Sequence, residues 1–480
     1  MNFFINKAMG IGNSGVEHAQ FYRAECFDLV KLPYKYIFME LVKNLHEAMD
    51  NWNIEENQVI NIWEFFVLGD SYLYEGITAR VEAKSDLLVD FTNTHRVKET
   101  ITSSGLLIRE HFEKSTNKKN PKTLLVSNYK TEIYNAKTLE KKIMFELLEM
   151  PHRGRVMSNI HIYDFHGKHL FFRNEILFQR FFLHYLAEKF DGAHNFFIDR
   201  GEETEAAIFN HRPANSKIIE LVHADHLSDR DVPEAPLWNN YYEYLLTHLD
   251  AVDKVVVATK LQRADLLVDF PNQADKFAAI PVGGIDDIDF ENIEIIDKKN
   301  LVRFVTASRL ASEKHLDIVI EAINKAHQKY PAIILDIYGQ GGEDQRLREK
   351  IKALNAESFI QLKGHTNSIN DVLLDYDVFI SASFSEGFGL TYIEALNANL
   401  PIVTFNARFG AIELVKTGVN GIVKEFSRTD SEFNINSLAE GIDELIELDR
   451  KELLKNIRPS VKDFQKSVIA NQWKELVNEL

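Results

Sequence analysis

Cysteine is nearly absent: 480 residues contain only Cys26. No intrachain disulfide framework can brace the chain, and a thiolate zinc site lacks ligands. Cys26 is therefore expected to be a small buried apolar residue. Positive charge is also short, with 55 Lys and Arg against 72 Asp and Glu and a formal net charge of -17. That balance argues against nucleic acid as a partner and against electrostatic adhesion to an anionic membrane. No apolar run approaches the roughly 18 to 20 residues that span a bilayer. The start, Met1 to Asn6, lacks the basic and apolar regions of a leader peptide. A cytoplasmic location is expected, with at most peripheral association at the membrane face. No solenoid-type repeat is present.

What is present is ordinary globular composition, 45% apolar and 26% charged, in a chain too long for one hydrophobic core. Two domains plus an insertion are expected. A strand at Asn2 to Ile5 leads into the glycine turn Gly10 to Gly15 and a helix near Val16, an arrangement in which backbone N–H groups can face an anion. Apolar runs at Tyr36 to Leu41 and Val59 to Trp63 follow. From about Tyr72 to Leu170 short β-rich runs replace the α/β rhythm, which predicts an inserted β-meander. The lysines between Lys114 and Lys142 read as a solvated loop and hairpin face.

The α/β rhythm then resumes, with a helix over Asn174 to Lys189 and strands at Asn195 to Asp199, Ile218 to Val222, Lys254 to Ala258 and Ala278 to Val282. Helices are predicted over Trp238 to Leu249 and Asp265 to Phe270, and Ile285 to Asn300 reads as a linker. Strand-like runs at 301–307, 333–338, 360–362, 378–381 and 401–405 alternate with helical patterns, which predicts a second parallel sheet covered by helices. The expected blocks are 1–71 with 171–290, the insertion 72–170, a second α/β domain 291–460, and a C-terminal helix 461–480 packing back on the first domain.

Two segments carry chemistry. Ser383-Phe384-Ser385-Glu386-Gly387-Phe388-Gly389-Leu390-Thr391-Tyr392-Ile393-Glu394 leaves a strand through glycines into a helix expected to start at Leu390 or Thr391. Free N–H groups and the positive helix end can take a phosphate there. Glu394 lies about one turn in, within reach of ribose hydroxyls, and Glu386 in the loop can grip a hexose. Upstream, Ser308-Arg309-Leu310-Ala311-Ser312-Glu313-Lys314 follows a strand end, where α/β folds place ligands. Arg309 and Lys314 suit the charge that grows on a departing diphosphate.

These residues resemble the retaining glycosyltransferases of family 4, whose GT-B fold sets two Rossmann-like domains facing a cleft. Tyr338-Gly339-Gln340-Gly341-Gly342, Lys363-Gly364-His365 and Gly418-Val419-Asn420-Gly421 extend the match. The resemblance implies that Arg309 and Lys314 bind the donor diphosphate, Glu386 the hexose and Glu394 the ribose. It places Gly387, Phe388, Gly389, Leu390 and Thr391 at the phosphate and His365 beside the base.

The N-terminal half resembles a narrower group, the catalytic A subunits of accessory-Sec O-GlcNAc transferases that modify serine-rich-repeat adhesins. The resemblance lies in Gly10-Ile11-Gly12, Ser14-Gly15-Val16-Glu17, Val222-His223-Ala224-Asp225-His226 and Trp238-Asn239-Asn240-Tyr241-Tyr242. It implies donor contacts at Ser14, Gly15 and Val16 and a histidine, His223, near the reacting sugar. It further implies a UDP-sugar donor, UDP-GlcNAc, a serine-rich-repeat protein acceptor, a homologous non-catalytic co-subunit docking on the inserted region, and no cofactor or metal. Wall-teichoic-acid glycosyltransferases share the architecture and supply the alternative acceptor; a silent binding subunit is the non-enzymatic alternative. A zinc pair at His223 and His226 and a metal motif at Asp229 and Asp231 are disfavoured, and His161 and His166 are expected to be surface or hydrogen-bonded residues.

Overall fold

A computed structural model describes residues 1–10, 15–89, 95–117, 120–150, 154–229, 236–290, 302–366 and 368–480. Contacts divide the chain into two compact units. The first comprises Met1–His18, Leu32–Leu221 and Glu243–Asp253, and the second Ala19–Lys31, Val222–Tyr242 and Lys254–Leu480. The second unit takes His223 together with the C-terminal half.

The first unit opens with three strands, β1 (Asn2–Asn6), β2 (Tyr34–Phe38) and β3 (Val59–Asn61). Seven more follow: β4 (Lys84–Val89), β5 (His95–Ile101), β6 (Leu106–Thr116), β7 (Leu124–Asn135), β8 (Lys141–Met150), β9 (Gly154–Phe165) and β10 (Lys168–Asn174). The opening sheet then resumes with β11 (His194–Ile198) and β12 (Ser216–Val222). Strands β12, β11, β1, β2 and β3 lie side by side in that order, all parallel. Asn-Phe-Phe-Ile-Asn of β1 is buried at every position, because a parallel sheet covered on both faces leaves no solvent side for alternation.

β4 to β10 pair antiparallel in chain order, so the inserted meander expected from the sequence is present. It begins later than Tyr72, since Tyr72–Glu75 is helical, and runs to Asn174. One face is apolar, with Ile108, Ile133, Ile143, Ile160 and Ile162 all buried, whereas Glu99 and Arg109 pair on the opposite face. The buried face packs on helices Ile62–Leu68 and Glu175–Lys189, with Trp63 5.1 Å from Phe145 and 5.0 Å from Phe178 by ring centroid. Trp63 therefore opens a helix rather than extending the strand. Asn174 starts the second helix by accepting from Leu177 N at 3.0 Å. His161 and His166 are hydrogen-bonded, to His169 and Tyr185.

The second unit contains the antiparallel pair β13 (Leu227–Asp229) and β14 (Leu237–Trp238) and the parallel pair β15 (Lys254–Val257) and β16 (Phe277–Ala279). β17 (Arg303–Ala307), β18 (Ile334–Tyr338), β19 (Ile360–Gly364), β20 (Val378–Ile380), β21 (Ser385–Glu386), β22 (Ile402–Phe405), β23 (Arg408–Phe409) and β24 (Gly421–Lys424) follow. Six of them form a parallel sheet in the order β19-β18-β17-β20-β22-β24. Numbered from β17, that order is the Rossmann sequence 3-2-1-4-5-6, which reverses direction between β17 and β20.

Three local expectations change. Trp238 belongs to β14, opposite Leu227, and the following helix starts at Asn240 because Asn239 Oδ1 accepts from Tyr241 N at 3.1 Å. β24 was not read as a strand, and only Gly418 to Gly421 at its start was singled out, as part of a motif. The start of the linker is fastened: Ile285 is buried, its N–H donates to Phe464 O, and Asp287 accepts from Ser467. Residues 291–301 lie outside the described residues. The C-terminal helix Lys466–Glu479 buries Trp473 against Phe27 and beneath the Arg23 guanidinium. Cys26 is buried and free, as expected.

Candidate functional site

In an open α/β sheet the crevice for a ligand lies beyond the strand C-termini where strand order reverses. Here those termini belong to β17 and β20, and they lead into the two chemistry-bearing segments. β17 runs into Ser308 to Lys314, and β20 into the loop that ends at the helix Leu390–Asn397. Tertiary folding thus gathers at one reversal two motifs that are far apart in sequence.

A single 3₁₀ turn, Ser312–Lys314, ends at His315, which takes a left-handed φ of 47° and stacks on Phe384 with centroids 3.7 Å apart. That turn carries Lys314 across to the glutamate loop, where Nζ donates to Glu386 Oε1 at 2.5 Å. Both side chains are recessed, at 19% and 16% exposure. Arg309 does not join them: its guanidinium is 69% exposed and pairs with Glu313 at 2.9 Å.

The glycines after Glu386 have separate physical reasons. A Cβ on Gly387 would lie 2.5 Å from the His223 carbonyl oxygen, so only glycine lets the two loops approach. Gly389 has φ +87°, a left-handed conformation that turns the chain into the helix. The helix starts at Leu390, and Tyr392 N and Ile393 N already donate to Gly389 O at 2.9 and 3.2 Å, so the N–H groups of Leu390 and Thr391 are those that precede the first intrahelical bonds. The Phe388 side chain is buried in the core near Phe464, so only its backbone borders the loop. Tyr392 holds the loop from beneath, its hydroxyl 2.9 Å from both Ser381 Oγ and Thr404 Oγ1. Its role carried no signal beyond an apolar helix position.

Glu394 lies one turn further along. Burial disfavours its charge and raises its pKa from 4.5 to about 7. His223 follows β12 directly, half-buried, and its backbone N–H donates to Tyr242 Oη at 3.1 Å. His226 is fully buried and stacks on Phe409. His365 is exposed after β19, where Gly364 turns with φ +80°. In the first unit Gly15 is exposed at the start of the helix Gly15–Leu29, and the Val16 side chain is buried, leaving only its backbone accessible to a ligand. Ser14 and Asp231 lie outside the described residues. Among the described residues no group of three or more His, Cys, Asp or Glu is placed to hold a metal ion. No helix among them is long and apolar enough to cross a membrane.

Residues 286–463 match the family described as glycosyl transferases group 1. The Rossmann order, the motifs at its reversal and this match together define a glycosyltransferase with the GT-B fold. Over nearly its whole length the chain is similar to GtfA subunits. It is 28% identical to the UDP-N-acetylglucosamine--peptide N-acetylglucosaminyltransferase GtfA subunit of Streptococcus parasanguinis, over 99% of this chain and 98% of that protein. The crystal structure of the pneumococcal O-GlcNAc transferase GtfA in complex with UDP and GlcNAc matches with a TM-score of 0.79 at 27% identity, covering 100% of this chain and 98% of the other. A shorter similarity, 25% identity over 58% of this chain and 53% of the other, links it to the poly(ribitol-phosphate) alpha-N-acetylglucosaminyltransferase of Staphylococcus aureus (strain COL).

Proposed function

We propose that the chain transfers N-acetylglucosamine from UDP-N-acetylglucosamine to serine and threonine hydroxyls of a serine-rich protein, with retention of anomeric configuration and without a metal. The observation that carries this reading is the Lys314–Glu386 ion pair beside the start of the helix Leu390–Asn397. A sugar nucleotide presents a diphosphate that gains negative charge and a hexose rich in hydroxyl donors. An ammonium next to a carboxylate answers both demands at once. The end-to-end similarity to peptide N-acetylglucosaminyltransferases supports a polypeptide acceptor over the teichoic acid suggested by the shorter match.

In this reading Lys314 takes the diphosphate and Glu386 the hexose hydroxyls. The backbone from Gly387 to Thr391 takes phosphate oxygen, Glu394 holds the ribose, and His365 borders the base. Arg309 exchanges Glu313 for the diphosphate. The bond from the anomeric carbon to the β-phosphate oxygen breaks, and the acceptor oxygen bonds to that carbon from the same face. The acceptor proton passes to the departing phosphate, and UDP leaves. No protein nucleophile is needed; positioning and electrostatic stabilisation lower the barrier.

A homologous non-catalytic chain docks on the antiparallel sheet. The relatives' designation as subunits supports this, as do the apolar residues exposed at the distal ends of β7 and β8: Leu124, Leu125, Val126, Leu148 and Met150. Such clusters mark protein contacts when they gather in one place.

Incubation with a panel of UDP-sugars and two acceptors, a serine-rich peptide and poly(ribitol phosphate), tests the proposal. Transfer from UDP-N-acetylglucosamine to the peptide is expected. Transfer only to poly(ribitol phosphate) would replace the acceptor, and absence of both transfer and donor hydrolysis would favour a silent binding subunit.

A further inference from the structure

The loop after β12 is held along its whole backbone. Tyr242, in the helix Asn240–Thr247, accepts at one hydroxyl from two successive N–H groups, His223 at 3.1 Å and Ala224 at 2.9 Å. Gln262, fully buried in the helix Lys260–Asp269, donates to Ala224 O at 2.7 Å. Asn239 donates from its side chain to Asp225 O at 3.1 Å and from its backbone to His226 O at 2.8 Å. Asp225 Oδ1 turns back to accept from Leu227 N at 3.0 Å.

The second Asp225 oxygen faces the donor side of the same unit. Oδ2 lies 3.4 Å from Arg408 Nη2, and Arg408 Nη1 is 3.9 Å from Asp265 Oδ2. Arg408 opens β23, which pairs in parallel with β21 so that Arg408 stands opposite Ser385 and Phe409 opposite Glu386. Phe409 stacks on the buried His226 ring, with centroids 5.9 Å apart. The stretch continues to Glu413, whose two oxygens accept from Lys260 N at 3.0 Å and Leu261 N at 2.9 Å. One segment, Arg408 to Glu413, therefore grips both the His223 loop and the helix that supports it, while its first two residues lie alongside Glu386.

We propose that Tyr242 and Arg408 are positioning residues for the transfer reaction. Tyr242 pins the backbone of the His223 loop, and Arg408 ties that loop through Asp225 to the strand that carries Glu386. The imidazole and the sugar-binding carboxylate then move as one body. The inference rests on the proposed place of His223 beside the reacting sugar. Arginine suits the task because its planar fork addresses two carboxylates, Asp225 and Asp265, which a lysine ammonium cannot bridge with the same geometry. Neither residue is needed to bind UDP, so their loss acts on alignment, where a misplacement of about 1 Å costs up to about 10²-fold in rate.

The test compares His223→Ala, Tyr242→Phe, Arg408→Gln, Arg408→Lys, Asp225→Asn and the Asp225→Asn/Arg408→Gln double variant. Turnover of UDP-N-acetylglucosamine, its KM, UDP affinity by calorimetry and melting temperature are measured for each. Tyr242→Phe removes a single oxygen, so it keeps the question answerable if an Arg408 variant folds poorly. Expected are a fall in kcat of about 10-fold or more for Tyr242→Phe and Arg408→Gln, KM and UDP affinity within about 2-fold of the parent, and partial recovery in Arg408→Lys. The double variant should be no worse than the poorer single, since both substitutions cut the same tie. If His223→Ala is impaired while Tyr242→Phe and Arg408→Gln turn over normally, the positioning role is overturned and the place of His223 stands. If His223→Ala turns over normally, the reading of His223 fails and the inference with it. Parallel losses of UDP affinity and kcat would also overturn the proposal, because they would mark general disruption of the fold.

Discussion

Lys314 Nζ sits 2.5 Å from Glu386 Oε1, so the cation we propose for a diphosphate and the carboxylate we propose for a hexose neutralise each other. Both are largely withdrawn from water, and removing one partner leaves the other recessed and uncompensated. A bound donor has to supply each with a new partner, the phosphate for the ammonium and sugar hydroxyls for the carboxylate.

Lys314→Ala is expected to lower turnover by about 10²-fold or more, the scale seen when one electrostatic contact to developing charge is lost. UDP affinity should change less, because negative charge on the diphosphate grows as the glycosidic bond breaks. Steady-state kinetics alongside calorimetric UDP binding measure the split. Near-normal turnover in the folded variant would remove Lys314 from the diphosphate.

UDP should bind in the presence of excess chelator, since Lys314 and the first turn of the helix Leu390–Asn397 provide the positive field. Calorimetry with and without chelator decides the point. Loss of affinity that magnesium or manganese restores would assign the charge neutralisation to a metal instead.

If Glu394 holds the ribose as proposed, it links UDP binding to pH. Its carboxyl is raised to about 7 by burial, and the proposed ribose contact needs the ionised form to accept from the hydroxyls. Below about pH 7 the group holds a proton and loses acceptor capacity, so UDP affinity should rise with pH through 7. Glu394→Gln should bind more weakly at pH 8 and lack that part of the pH dependence, which separates it from titration of UDP itself. Equal slopes for the two proteins would exclude a carboxylate contact.

Stability should decline toward alkaline pH. Burial, with Glu202 and Glu203 nearby, raises Glu205 from 4.5 to about 8, and its buried neighbour Glu220 is raised as well. The folded state therefore holds a proton that the unfolded chain releases above about 4.5, and stability falls as pH climbs from there through 8. Glu205→Gln keeps the shape without the titration and should raise the melting temperature at pH 8 but hardly at pH 5, at about 2–4 °C per kcal/mol. Part of the decline should survive. Burial of His46 disfavours its charge, yet hydrogen bonds to Glu56 and Glu64 prevail and raise it to about 9, so its contribution is full below about 6.5 and lost as pH rises through 9. An unchanged pH profile in Glu205→Gln would refute this account.

Much of the architecture was legible in residue order because it rests on local period and local breaks. Unbroken apolar runs such as Asn2 to Ile5 announced buried parallel strands, and short β-rich runs announced the meander. The glycines at 387 and 389 announced the helix start, which falls at Leu390 as expected. β24 and the strand at Trp238 escaped because each is too short for its period to register, and pairing with a distant neighbour makes it a strand.

At the site, residue order supplied the chemical types and their sequence along the chain. It was silent on which side chains meet. Lys314 and Glu386 stand 72 residues apart and Asp225 and Arg408 183 apart, and no local pattern encodes such encounters. Strand order brings the first pair together at the reversal between β17 and β20, and the pairing of β21 with β23 carries Arg408 to the His223 loop. Arg309 makes the same point from the other side: its motif is as clear as that of Lys314, yet Glu313, four residues on, takes its guanidinium outward. Side-chain direction depends on the full set of surrounding charges and surfaces, and those exist only once the chain has folded.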